Sequence, residues 1–343
     1  MEVRQNVLYV LTQGSYLRRD HQTIQVEVEG RVRLGVPIHH LQAVALFGNV
    51  MVTPGAMQCC TEAGVSLTFH TESGRLLARV DGPVSGNVLL RREQFRKADQ
   101  PSQVVKLSRM IVAGKLQNSR NSILRAGRDN AAADDHAELS KAAEEIASLL
   151  RRLESVENID QIRGIEGAAA RVYFGVFGAM VRHQRDSFRP QGRSRRPPLD
   201  RMNAMLSFIY ALLLADCVGA LTSAGLDCNV GYLHSDRPGK PSLALDLMEE
   251  FRPLLADRLA LTLVNRRQIQ PNDFEVREGG AVEIKENARR AVVSAWQERK
   301  QEEIVHPLLG QSTTVGLLMH LQGKILARTI RGDIESYVPY TPK

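Results

Sequence analysis

The segment TIQVEVEGRVRLGV (23–36) decides the first half of the fold. Apolar residues alternate with Gln, Glu and Arg along it, a period of two that predicts extended chain with one face buried. Glu29-Gly30 breaks the alternation midway, so the two halves predict a hairpin. Working outward, NVLYVL (6–11), AVALFG (43–48), VSLTFHT (65–71) and RLLARVDG (75–82) read as strands, with a second turn signal at Ser73-Gly74. One short helix is expected between them: Thr53 can cap it, Pro54 suits its first turn and Gly64 stops it. From Val88 onward long helical patterns take over, at 104–127, 137–156, 198–226 and 314–332, with a late β-hairpin at DFEVREGGAVEI (273–284). The fold class is therefore α+β, with a small N-terminal antiparallel β domain over 1–87 and a larger all-helical domain over 88–343.

The 343 residues are 43% hydrophobic, ample for a core in each domain, and carry 45 Lys plus Arg against 38 Asp plus Glu. The resulting +7 favours an anionic partner over a cationic one. Much of the excess sits in one Gly/Pro-rich stretch holding Arg182, Arg185, Arg189, Arg193, Arg195 and Arg196, either a phosphate-tracking loop or a solvated one. Aromatic residues make up only 5%, against a stacking platform for single strands. Cys59, Cys60, Cys217 and Cys228 form no CxxC pair or regular framework and read as buried thiols of a reducing compartment. MEVRQNVLYV (1–10) lacks signal-peptide organisation, and AMLSFIYALLLA (204–215) is too short to span a bilayer. A soluble, cytoplasmic protein with no membrane partner is expected.

Candidate chemistry lies in the helical half. Pro238, Gly239 and Pro241 forbid a helix after GYLH (231–234), which leaves His234 on or beside a loop with its imidazole free to face a cavity. SLALDLMEEF (242–251) then predicts a short helix with Ser242 as N-cap, carrying Asp246, Glu249 and Glu250. Spacings of three and four residues can align these acids on one face, so a cation is expected nearby, from Arg252 or from another element. Glu166 stands in IRGIEGAAARVYFG (162–175), a helix of unusually small residues. Either neighbouring helices pack closely there with Glu166 in water, or the gap admits a metal ion and a phosphate. Glu166, His234 and Glu249 together form an oxygen-rich, moderately hard set suited to Mn²⁺ or Mg²⁺ rather than Zn²⁺.

Four ordered segments resemble one family. IEGAAARVYF around Glu166, RRPPLDRMNAMLSFIYALL (195–213), GYLH (231–234) and SLALDLMEEFRP (242–253) are similar to the CRISPR-associated adaptation integrases, the metal-dependent proteins that insert new spacers into CRISPR arrays in antiviral defence. The resemblance implies catalytic metal ligands at Glu166, His234 and Glu249, with Asp246 and Glu250 in support. It also implies a homodimer formed through the β domain, a small adaptation partner protein, and double-stranded DNA as both spacer precursor and target repeat.

The implied reaction is attack of a 3′-hydroxyl on a phosphodiester. One such bond is exchanged for another, so no nucleotide cofactor is required, and no GxxxxGK[ST] loop occurs. Arg237 and Lys240 beside His234, then Arg195 and Arg196, are candidate DNA contacts, with Lys115 and Arg125 as further ones. Tyr173 and Tyr232 are possible nucleophiles of a tyrosine-recombinase type, though packing is their simpler role. Two alternatives stand beside the integrase: a metal-dependent nuclease that never joins ends, and a DNA-binding scaffold whose acidic cluster is structural.

Overall fold

LQAVALF (41–47) is buried at every position but Gln42 because its two faces serve two different cores. The computed structural model describes residues 6–82, 87–129, 133–190, 192–194 and 196–342. Strands β1 (Asn6–Val10), β2 (Ser15–Asp20), β3 (Thr23–Val28), β4 (Arg31–Pro37), β5 (Leu41–Phe47), β6 (Val50–Val52), β7 (Ser66–His70) and β8 (Leu76–Val80) surround helix α1 (Pro54–Glu62). They form two sheets, ordered β1-β5-β7-β8 and β4-β3-β2-β6. Val44 and Leu46 of β5 join Leu17, Ile24, Val26 and α1's Cys59 and Cys60 in the core of this half. Ala43, Ala45 and Phe47 point the other way, into the core of the helical half. Burial on both faces replaces alternation with a continuous apolar run.

The antiparallel domain expected over 1–87 is corrected to a pair of mixed sheets. The β2-β3-β4 meander is antiparallel, as TIQVEVEGRVRLGV predicts. However, β1 pairs with β5, β5 with β7 and β2 with β6 in parallel. The reason is topological: each of these pairs is joined through other elements, long enough to return the chain to the same end of the sheet. Thr53 caps α1 by accepting from Ala56 N at 3.2 Å, with Pro54 in the first turn and Gly64 at φ +67° after it.

The helical half comprises α2 (Val88–Ala98), α3 (Pro101–Asp129), α4 (Ala133–Leu153), α5 (Ile159–Gly175), the short α6 (Phe177–Met180) and α7 (Arg185–Phe188), α8 (Arg201–Ser223), α9 (Ser242–Met248), α10 (Arg258–Asn265), α11 (Glu286–Gln301) and α12 (Leu318–Arg331). It is not purely helical. Strands β9 (Phe274–Val276) and β10 (Val282–Ile284) form the late hairpin, turning at Gly279 and Gly280 with φ +91° and +82°, and β11 (Glu303–Val305) pairs with β12 (Ser312–Thr314). Helix α8 is long and apolar enough to cross a membrane, yet 83% of its most apolar stretch is buried inside the protein. A helix apolar all round is a central core helix when other elements enclose it, and α9, α10, α12 and strands β5 and β7 pack on α8. All four cysteines are buried and unbridged.

A buried polar knot ties the two halves. Asp216 on α8 receives Tyr9 Oη from β1 at 3.1 Å and Trp296 Nε1 from α11 at 3.0 Å. Lys300 Nζ closes the cluster 3.1 Å from the same carboxylate.

Candidate metal centre

Three helices and one loop build the site. Helix α5 starts at Asn158, whose side chain accepts from Gln161 N at 2.9 Å, and carries Glu166 two turns later. On either side of it, Gly164 and Gly167 face open space, with nothing within 4 Å of where a Cβ would stand. The two glycines flanking Glu166 therefore leave that side of α5 open, while Ala169 packs into the core.

His234 lies in the loop between α8 and α9, and its position is set by Asp246. That carboxylate is fully buried and accepts from three successive backbone N–H groups, Tyr232 at 2.6 Å, Leu233 at 3.0 Å and His234 at 2.9 Å. His234 Nδ1 also lies 2.7 Å from Asp246 Oδ1. A carboxylate can only accept, so in the neutral imidazole this contact places the proton on Nδ1 and turns the Nε2 lone pair away from Asp246, the orientation a metal-ligating imidazole requires. Arg163, one turn before Glu166, donates from Nε to Leu233 O at 2.9 Å and so fastens the loop to α5.

Gly231 begins the His234 loop under steric constraint. An added Cβ would stand 2.8 Å from the Ser242 carbonyl carbon and 3.0 Å from Asp246 Oδ2. Gly231→Ala is expected to lower stability by about 2 kcal/mol, the usual scale of overpacking, and to weaken divalent-metal binding by displacing His234. Thermal melts with and without Mn²⁺ check this, since a shift confined to the metal-free melt would leave His234 in place.

Helix α9 departs from expectation at both ends. Ser242 does not cap it; its hydroxyl donates to Ser235 O at 3.0 Å and braces the loop, and Pro241 occupies the cap position. The helix stops at Met248, before Phe251, and the chain continues as a turn and a π-helical segment over Arg252–Asp257, where Pro253 offers no N–H. The three acids therefore diverge. Asp246 turns back to the loop, while Glu249 faces α5 and α3. Glu250 points away, accepting from Tyr337 Oη at 2.6 Å, Tyr340 N at 2.7 Å and Gln322 Nε2 at 3.2 Å. Burial pushes the Glu250 carboxyl up to about 7, against the pull of those donors. Glu250 thus anchors the C-terminal segment on the far side of α9.

Glu249 is only 2% exposed. Burial alone would raise its carboxyl, but the neighbouring cations, Arg252 first and then Lys115, outweigh that and hold it at about 2. Arg252 Nη2 stands 3.3 Å from Glu249 Oε1, its guanidinium packed over the Tyr210 ring. His234 Nε2 is 3.7 Å from the same oxygen. Lys115 Nζ, from α3, lies 2.6 Å from Glu249 Oε2 and also pairs with Glu166 Oε1. Glu166 and Glu249 thus meet at Lys115, and His234 stands beside Glu249. Among the described residues no three His, Cys, Asp or Glu side chains stand at ligating distance from a common point. Instead a lysine ammonium bridges the two glutamates. Two carboxylates closing on a cation, beside an imidazole with a free Nε2, fit a hard divalent ion of the Mg²⁺ or Mn²⁺ type.

The sequence offers Lys115 as a candidate DNA contact; in the structure it instead bridges the two glutamates, a role that depends on α3. Polar residues recur along that helix at Lys115, Asn118 and Ser122, a helical spacing on an otherwise apolar face. Asn118 Nδ2 donates to Glu250 O and Tyr340 O, both at 2.8 Å, and Ser122 Oγ to Pro253 O at 3.2 Å. That stripe fixes the register of α3 against the chain after α9.

Of the candidate DNA contacts, Arg237 is exposed and Lys240 half-buried beside His234, while Arg196 and Arg125 are exposed elsewhere. Burial, then the neighbouring Arg237, lowers the Lys240 pKa, with Arg163 adding to the effect. Arg195 lies outside the described residues. Several loop arginines have structural partners: Arg182 pairs with Asp129 at 3.1 Å, Arg185 with Asp135 at 2.6 Å, and Arg193 donates to Asn203 Oδ1 at 2.7 Å. Tyr173 is buried, and Tyr232 is buried with its hydroxyl donating to Gln94 O at 3.2 Å.

The profile described as "CRISPR associated protein Cas1" matches residues 8–298. The chain belongs to the Cas1 family. A CRISPR-associated endonuclease Cas1 of Moorella thermoacetica is 49% identical over 340 residues, 99% of each chain. Among solved structures, a chain of a Cas6-RT-Cas1–Cas2 complex superposes with a TM-score of 0.84 at 23% identity, covering 99% of this chain and 36% of that longer one. A casposase bound to an integration product superposes with a TM-score of 0.82 at 21% identity, over 98% of this chain and 93% of the other. At such identities the two superpositions establish the shared fold, and the Cas1-family relationship itself comes from sequence.

Proposed function

We propose that this Cas1-family chain is a metal-dependent DNA endonuclease and integrase that inserts new spacers into a CRISPR array. The observation that carries the reading is that Glu166 and Glu249 share one cation, Lys115, with His234 Nε2 3.7 Å from Glu249 and His234 held by Asp246. Support also comes from the 49% identical relative named an endonuclease and from a shared fold with a casposase bound to its integration product.

In the proposed reaction the oxygen of a spacer 3′-hydroxyl forms a new P–O bond to a repeat phosphate as that phosphate's bond to its own 3′-oxygen breaks. The attacking hydroxyl loses a proton and the departing oxygen gains one. A bound Mg²⁺ or Mn²⁺ would offset charge on the phosphate oxygens and favour the deprotonated nucleophile. Glu166, Glu249 and His234 Nε2 would hold it, and Asp246 keeps the imidazole in the right tautomer. Arg237, Lys240 and Arg163 gather positive charge at the mouth beside His234, suited to a DNA phosphate. Arg196, exposed elsewhere on the protein, is a further candidate phosphate contact. With water in place of the 3′-hydroxyl, the same centre cuts.

The β domain, 1–87, is assigned to self-association and 88–343 to catalysis. Edge strand β4 exposes Val32 and Leu34, and the cross-strand row from Val32 continues to exposed Tyr16 and Met51. A row of this kind suits a homodimer. A small adaptation partner of the Cas2 type is part of the reading, supported by the fold shared with a chain of a Cas1–Cas2 assembly. Action on DNA with four unbridged cysteines supports a cytoplasmic location.

The test is joining of a short duplex with free 3′-hydroxyl ends into a supercoiled plasmid carrying the repeat, with Mn²⁺ or Mg²⁺ and the cognate small partner. Joined product is expected from the wild type. His234→Ala and Glu249→Ala should reduce it at least about 100-fold, beyond the 10–100-fold typical of losing an outer partner of a metal site, and chelator should abolish it. Cutting without joining would establish the plain nuclease, and binding with neither would establish the scaffold.

A further inference from the structure

The two glutamates assigned to the metal already share a cation that the protein supplies. Lys115 is 12% exposed at its side chain, and its Nζ contacts both Glu166 and Glu249. Its position follows from helix register. One residue earlier, Gly114 leaves no room for a Cβ, which would meet Pro339 Cβ at 2.5 Å. Three residues later, Asn118 binds the backbone at Glu250 and Tyr340. With α3 pinned on both sides, the lysine stem is delivered to the gap between α5 and the end of α9.

Two carboxylates in a poorly hydrated gap repel each other, and a cation between them removes the conflict. Arg252 neutralises Glu249 from its other oxygen, but Glu166, on a separate helix, meets Glu249 through Lys115. A lysine is suited to a contact that must later break: its ammonium is a compact charge on a flexible four-carbon stem, without arginine's fixed bidentate fork.

We propose that Lys115 is the internal counter-cation of this site, its ammonium holding Glu166 and Glu249 together until a divalent ion displaces it. The proposal rests on the metal-dependent reading above. Its consequence is quantitative. Metal binds the fraction of molecules in which the ammonium has swung away, so apparent affinity is the intrinsic affinity reduced by that fraction. Lys115 is therefore a positioning residue in the metal-free protein and a competitor for the metal seat.

The experiment is Mn²⁺ titration of the full-length protein by calorimetry and electron paramagnetic resonance, with thermal melts at zero and saturating Mn²⁺. It compares wild type with Lys115→Met, Lys115→Arg and Glu166→Gln. Lys115→Met is expected to bind Mn²⁺ about tenfold more tightly, as when a latch engaged in about nine molecules of ten is removed. Its metal-free melting temperature should fall, while its Mn²⁺-saturated melt matches wild type. Lys115→Arg, which keeps the charge, should stay nearer wild type in affinity. Should Lys115→Met be unfolded by circular dichroism without metal, Lys115→Gln carries the same expectation. Unchanged or weaker binding by the neutral variants, with Glu166→Gln abolishing binding, overturns the latch and leaves the metal site standing. Absence of Mn²⁺ binding in the wild type overturns both.

Discussion

Asp246→Asn is expected to weaken divalent-metal binding about 10- to 100-fold, the range for losing an outer partner of a ligating histidine, and to reduce strand joining in parallel at subsaturating metal. The geometry explains why so small a change is severe. Both Asp246 oxygens are engaged by donors alone: Oδ2 by the N–H groups of Tyr232 and Leu233, Oδ1 by the N–H and Nδ1 of His234. An asparagine offers one acceptor oxygen and an NH₂ group, so whichever way it flips, two donors face a third donor in a fully buried place. Each unsatisfied buried group costs about 1–3 kcal/mol. If the NH₂ faces Nδ1, the imidazole is driven to the other tautomer and its Nε2 carries hydrogen in place of the free lone pair. Asp246→Ala should lose activity as completely, with a larger fall in melting temperature. Metal titration and joining assays on both variants check the role. Wild-type metal affinity in Asp246→Asn would remove Asp246 from the positioning of His234.

The readable parts of this chain were those in which one physical requirement governs a short stretch. TIQVEVEGRVRLGV has one wet and one dry face, and it alternates. Thr53, Pro54 and Gly64 meet local requirements of one helix, and each stands where that chemistry places it. Strand β2, SYLRRD, was missed because its charged residues hide a pattern carried by Ser15 and Leu17. The parallel pairings of β1, β5 and β7 depend on where connections return the chain, and no local window carries that information. The site divides in the same way. His234 was marked by the Pro/Gly loop that follows it, and Glu166 by its small neighbours. That Ser242 would brace the loop, that Glu250 would turn to the C-terminal segment, and that Lys115 would bridge two acids from a helix 51 residues before Glu166 all depend on the register between distant helices.

The polar knot between the halves yields the other large effect. Lys300→Met is expected to lower stability by about 3–5 kcal/mol, the cost of leaving a buried charge without its partner, and to lower the melting temperature by roughly 6–15 °C. Asp216 and Lys300 are 5% and 3% exposed, so solvent cannot replace the lost ammonium. Tyr9 and Trp296 would still donate to the stranded carboxylate, which is why the loss should fall short of unfolding. Asp216→Ala should be at least as costly, since it strands Lys300 and removes one of the two acceptors of Trp296 Nε1, leaving only Tyr9 Oη. Pairing Lys300→Met with Asp216→Asn should recover part of the loss, because no buried charge then remains, and the size of that recovery measures the coupling. Hydrogen exchange should localise the effect. Tyr9 belongs to β1 and Asp216 to α8, so amides of β1 and β5 should exchange faster before those of α5 do. A Lys300→Met melt within about 2 °C of wild type, a shift of about 1 kcal/mol or less, would mean that the halves are held instead by the apolar contacts of Val7, Ala43 and Phe47 with the helical core.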